Sequence, residues 1–146
     1  MRRFYPGFVL VPALILCGCN GGPTLGTALP TAQHGGQILT LPGGKGFAEI
    51  LTERRAPVKA PATKAAKTRL LAYFYQPDGS TALSPAPSDV KVRLGTADNG
   101  RDVQLTPQTT PAGLFASEPG QFPDELRGQI ELTLGGEPVQ ADFMFR

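Results

Sequence analysis

The chain has no tryptophan, one histidine and two cysteines among its 146 residues. Each scarcity removes a class of chemistry. One imidazole, with no second histidine and no clustered cysteines beside it, does not make the closed four-ligand set of a structural zinc site. The two cysteines, Cys17 and Cys19, stand together near the N-terminus, so no disulfide framework staples the rest of the chain. The longest apolar run, Phe4 to Leu16, covers 13 residues, short of the roughly 20 that a helix needs to cross a bilayer. Pro6 and Pro12 would each interrupt such a helix. Serine never stands in a G-x-S-x-G setting, Pro42 to Gly46 lacks the Lys-Ser/Thr ending of a phosphate loop, and adjacent acids occur only at Asp124-Glu125. The expectation is a protein that is not an enzyme and needs no cofactor, and no nucleic-acid partner is expected.

Glycine and proline are abundant, at 18 and 15 residues, and they fall between apolar runs without a G-X-Y period. That pattern predicts many short strands joined by tight turns. Gln37 to Leu41 and Phe47 to Glu53 are strand candidates on either side of a Pro-Gly-Gly-Lys-Gly turn. Leu70 to Gln76 is apolar on both faces, so it reads as a central strand. Asp89 to Leu94 alternates, and Asp98-Asn99-Gly100 turns it back into Arg101 to Thr106. Leu114 to Ser117 is a further short strand, and Pro123 to Leu126 has room for one helical turn at most. Gln129 to Leu134 and Val139 to Phe145 form a closing hairpin about Gly135-Gly136. The sum is an all-β chain, an antiparallel Ig-like β-sandwich of about seven or eight short strands, without the tryptophan and paired cysteines of antibody domains.

The N-terminus carries a different message. Arg2 and Arg3, the apolar run and then small residues have the layout of a secretory signal peptide. Leu16-Cys17-Gly18-Cys19 closes it and resembles the bacterial lipobox, with Leu16 and Gly18 in the aliphatic and small positions before an acylated Cys19. The resemblance implies cleavage before Cys19, so that 1–18 is the signal peptide and lipid at Cys19 anchors the protein to a membrane of a bacterial cell envelope. Residues 19–33 read as a flexible tether, since Asn20 to Gln33 is uncharged and rich in Gly, Pro, Thr and Ala. The sandwich is then 34–146. Further likenesses are His34-Gly35-Gly36 opening the domain, Gly46 to Glu49, Tyr73-Phe74-Tyr75 before Pro-Asp-Gly, and the last hairpin. Together with the lipobox they make the chain similar to small lipoproteins of planctomycete-type bacteria, a resemblance that implies an envelope sandwich and no reaction.

Within the domain, Arg54 to Arg69 holds Arg54, Arg55, Lys59, Lys64, Lys67 and Arg69 with no acid and two prolines. It reads as a solvated basic loop, with an anionic membrane surface or polymer as its candidate contact. Once Arg2, Arg3 and this run are set aside, six basic residues remain against twelve acidic ones. The formal net charge of +2 therefore conceals an acidic body beside a basic loop. His34 is the one metal-ligand candidate, with Glu49 as a conceivable companion. Asp98 to Asp102 offers oxygen atoms but lacks the spacing of a calcium loop. The functional expectation is a membrane-anchored binding or accessory module whose partner is an envelope protein or an anionic polymer. Alternatives are an electrostatic tether that uses 54–69, and a metal-handling accessory protein centred on His34.

Overall fold

Leu70, Ala72 and Phe74 point to one side of their strand and Leu71, Tyr73 and Tyr75 to the other, and both rows are largely buried. Such a strand belongs inside a sheet with both faces covered. The computed structural model describes residues 29–55, 67–95, 100–123 and 125–145. The lipobox residues Leu16, Gly18 and Cys19, together with Lys59 and Lys64, lie outside them.

Nine strands follow in chain order: β1 (Gln37–Leu41), β2 (Gly46–Arg55), β3 (Lys67–Tyr75), β4 (Ser88–Leu94), β5 (Arg101–Gln104), β6 (Thr106–Pro107), β7 (Leu114–Ala116), β8 (Leu126–Leu134) and β9 (Glu137–Phe145). They form two antiparallel sheets, ordered β1-β2-β3-β7-β6 and β5-β4-β8-β9. The chain is an antiparallel β-sandwich. The order β2-β3-β7-β6 against β5-β4-β8-β9 parallels the A-B-E-D and C′-C-F-G order of Ig-type sandwiches, with β1 added beside the first strand.

The core lies between the sheets, where Ile50, Leu70, Phe74 and Phe115 of the first meet Val90, Val92, Ile130 and Leu132 of the second. Phe74 and Phe115 meet edge to face, with centroids 5.3 Å apart. The open flanks are tied as well. At one, Leu105 is 2% exposed and donates its N–H to the Val90 carbonyl at 2.9 Å, so β5 and β6 are one run of chain that leaves one sheet and joins the other. At the opposite flank Gln37 Oε1 accepts the Met144 N–H at 3.0 Å, and Lys45 pairs with Glu137.

Three expectations need correction. Arg54, Arg55, Lys67 and Arg69 are not loop residues, because β2 and β3 continue as a hairpin through Glu53↔Arg69, Arg54↔Thr68 and Arg55↔Lys67. Ladder bonds need no apolar side chain, so a strand extends into sequence that composition assigns to solvent. Leu126 does not close a helical turn but opens β8 opposite Phe145, where it is 1% exposed. The tether also ends earlier than 33, since Pro30 packs on Gly79 and Gln33 bonds to the domain.

Candidate functional site

Glu49 lies on β2 between Ala48 and Ile50, and its side chain points to the outer face of the five-stranded sheet, away from the core. It is nonetheless fully buried, because residues 29–36 run across it as an arm. A carboxylate taken from water must have its oxygens satisfied. Here Oε1 accepts the backbone N–H groups of His34 at 2.8 Å and Gly36 at 2.9 Å, and Oε2 accepts the Gln33 N–H at 3.1 Å and the Tyr75 hydroxyl at 3.2 Å. Burial pushes the carboxyl upward, but the amides of Gly36, His34 and Gln33 and the Tyr75 phenol outweigh it and hold Glu49 below the usual glutamate range. The phenol moves in the opposite direction. Burial, then the Glu49 charge and the hydrogen bond to it, push Tyr75 well above the ordinary tyrosine range.

The local sequence fits this clamp. A methyl group on Gly36 would stand 2.5 Å from the Ile50 carbonyl oxygen, so only glycine lets the arm come this close to β2. Farther back, Gln33 Nε2 donates to the Gly79 carbonyl at 2.8 Å, and Pro30 covers Gly79 in the turn after β3. That turn is set by Asp78, whose Oδ1 accepts the N–H groups of Ser80 and Thr81 at 2.9 and 2.8 Å. The Thr81 hydroxyl and the two amides draw the Asp78 carboxyl down to about 2.

The His34 ring lies flat on Tyr73, with centroids 3.8 Å apart and planes 13° from parallel, and Tyr73 lies parallel to Tyr75 at 6.4 Å. The imidazole therefore holds the arm to an aromatic row. His34 and Glu49 do come together, but each carboxylate oxygen of Glu49 already accepts two hydrogen bonds and the group is shut away from solvent. This arrangement positions a segment of chain. Among the described residues no three of His, Cys, Asp and Glu gather as a metal-ligand group. Asp102 faces Arg93 across the β4–β5 pair, with Nε to Oδ1 at 2.9 Å, and Arg93 and Lys91 both reach Glu131. That network makes the outer face of the four-stranded sheet polar.

The basic candidates collect at one end of the molecule. Arg54, Lys67 and Arg69 stand at the Arg55↔Lys67 end of the β2–β3 ladder. The bridge Thr68↔Gly120 carries this end to Arg101, whose guanidinium lies over the Phe122 ring at 5.1 Å. Beside it on the second sheet, a shallow cleft of about 440 Å³ is lined by Arg93, Gly95, Arg127, Gly128 and Asp142, among others. The sequence reading did not find the Glu49 clamp. Its signal is an acid set among apolar residues in a strand (Phe-Ala-Glu-Ile-Leu), which calls for a buried partner.

Fold and site together define a β-sandwich with an N-terminal arm fastened across its outer face. No family model, no curated protein and no solved structure matches the chain. Among the described residues no helix is long and apolar enough to cross a membrane.

Proposed function

We propose that this chain is a lipid-anchored module of the bacterial cell envelope, with Cys19 as its acylated N-terminus and the sandwich as a non-enzymatic binding or accessory domain. The observation that carries the reading is the Leu16-Cys17-Gly18-Cys19 motif behind a charged start and an apolar run, eleven residues ahead of Pro30. Kinship with planctomycete-type envelope lipoproteins is part of the same proposal.

The arm suits this role. Eleven residues reach at most about 40 Å, so an anchor at Cys19 keeps the domain within roughly its own diameter of the bilayer. Any pull through the tether meets Glu49 and Gly79 before it reaches β1. Permanent attachment needs more than one acyl chain, because a single one binds only marginally. Cys19→Ala tests the proposal. The variant should pass from the membrane to the soluble fraction and lose labelling by a fatty-acid analogue; unchanged partitioning and labelling would overturn it.

A further inference from the structure

Glu49 carries a charge that no cation among the described residues meets. Its carboxylate is fully buried, yet it takes part in no ion pair there, and its four donors are all neutral: the amides of Gln33, His34 and Gly36 and the Tyr75 hydroxyl. A buried charge is ordinarily paired. The surroundings are apolar. Glu49 stands opposite Ile38 on β1 and Tyr73 on β3, Phe47 and Leu51 flank it on its own strand, and Leu114 follows Tyr73 on β7. Residues in these register positions share one face of the sheet. The next acid of that face along β2 is Glu53, which stands opposite Arg69. The cover over the carboxylate is slight. No residue of 29–36 belongs to either apolar cluster, and Thr31, Gln33, His34 and Gly35 are exposed, whereas Leu39 and Leu41 of β1 lie in the core. The arm can therefore lift as far as β1 without disturbing the packing between the sheets, the kind of local opening by which a folded domain uncovers a site.

We propose that Glu49, Tyr73 and Tyr75 form a binding site for the guanidinium group of an arginine side chain on a partner polypeptide, and that the arm is its resident competitor. The arm supplies in pieces what one guanidinium supplies whole. Its amides donate to both carboxylate oxygens, and a guanidinium is a planar fork of N–H donors that engages a carboxylate at both oxygens. Its His34 ring lies flat on Tyr73 at 3.8 Å, and a guanidinium stacks on an aromatic face in the same way. The Tyr75 hydroxyl keeps its own bond to Glu49 in either case. The ligand also brings the positive charge that the arm lacks, and the apolar field around Glu49 suits the methylene stem of arginine. An ammonium brings the charge without the plane or the fork. The site does not depend on the lipid-anchor reading.

The test uses the full-length protein in a neutral detergent, with a blocked pentapeptide that has one arginine among alanines as the probe, followed by amide NMR. Binding should move the amides of Gln33, His34 and Gly36 toward free-chain positions while those of β8 stay in place. His34→Ala clears the face of Tyr73 and leaves every group of the site, so it should bind the peptide roughly fivefold tighter than wild type, about the worth of one aromatic stack. The matching lysine peptide should bind this variant more weakly than the arginine peptide does. Glu49→Gln should lose binding. Because that variant is also destabilised, Tyr73→Leu serves beside it: it keeps the carboxylate and should bring the arginine and lysine peptides to equal affinity. No binding by His34→Ala at about 10 mM arginine peptide, where even a millimolar site is filled, overturns the inference. So does equal affinity in wild type and His34→Ala, equal binding of the two peptides by His34→Ala, undiminished binding by Glu49→Gln, or binding that leaves the arm amides unmoved.

Discussion

Glu49 Oε1 accepts the backbone N–H of Gly36 at 2.9 Å, which ties the residue just ahead of β1 to the strand β1 pairs with. One side chain thus decides both where the domain begins and how the arm enters it. Removing an acceptor from such a site strands buried donors, at about 1–3 kcal/mol for each group left unpaired. Glu49→Gln should therefore lower stability by roughly 2 kcal/mol, since the amide turns an NH₂ toward N–H groups that need an oxygen. Denaturant unfolding measures the loss, and hydrogen exchange at 33–36 should rise far more than exchange in β8.

Gly36→Ala attacks the same contact from the other side. Its methyl group would press on the Ile50 carbonyl, so the arm must lift and give up bonds to Glu49. A drop in the thermal midpoint is expected, with early proteolytic cutting before residue 37. If the variant melts with wild type and resists protease equally, the arm is not held by close approach at Gly36.

The limits of sequence reading show in the same residues. Alternation disclosed β4, β8 and β9, and the doubly apolar face disclosed β3 as central, because burial of side chains is what those strands are selected for. Gly135-Gly136, with φ of 61° and 84°, makes the two-residue turn that its sequence suggests. The arm was hidden for a different reason. Pro30, Gln33 and Gly36 contribute backbone and small surfaces to a contact whose specificity sits in Glu49, thirteen residues beyond Gly36, and a local pattern carries no trace of that pairing. Arg54, Arg55 and Lys67 read as loop because their strand partners are each other's backbones.

Phe74 is the point at which the core should be most sensitive. It is fully buried between the sheets and meets Phe115 edge to face. Phe74→Ala leaves a cavity that the two sheets cannot close, at a cost of about 3–5 kcal/mol, against marginal total stability of about 5–15. Loss of cooperative unfolding in urea would reveal it, and Phe74→Leu should retain most of the stability.

Asp78 gives a prediction independent of the arm. The Thr81 hydroxyl and the amides of Ser80 and Thr81 favour its ionised form, so its carboxyl should titrate near 2 when followed by carbon-detected NMR. Thr81→Val should raise that midpoint by removing the hydroxyl donor, with the two amides leaving it still below the ordinary aspartate value.

Stability against pH should fall on both sides of neutrality, in part through two partners in one hydrogen bond, with Asp78 adding to the acid limb and Tyr73 to the alkaline one. Glu49 has a native pKa below its unfolded value, so its contribution is complete above the unfolded pKa of about 4.3 and is lost as pH falls through the native one. Tyr75 has a native pKa above its unfolded value, so the unfolded chain ionises first and stability declines as pH rises beyond about 10. A plateau between these limbs is expected in denaturant unfolding measured across pH. Glu49→Gln should reduce the acid limb, leaving the part that Asp78 contributes, and it should shift the alkaline limb as well, because the charge that raises Tyr75 and Tyr73 has gone. Tyr75→Phe should reduce the alkaline limb to the part that Tyr73 contributes, whose phenol is also raised by burial and by the Glu49 and Glu53 charges, while leaving the three amide bonds, and hence most of Glu49's share of the acid limb, in place. Unchanged limbs in both variants would place the titrating groups elsewhere.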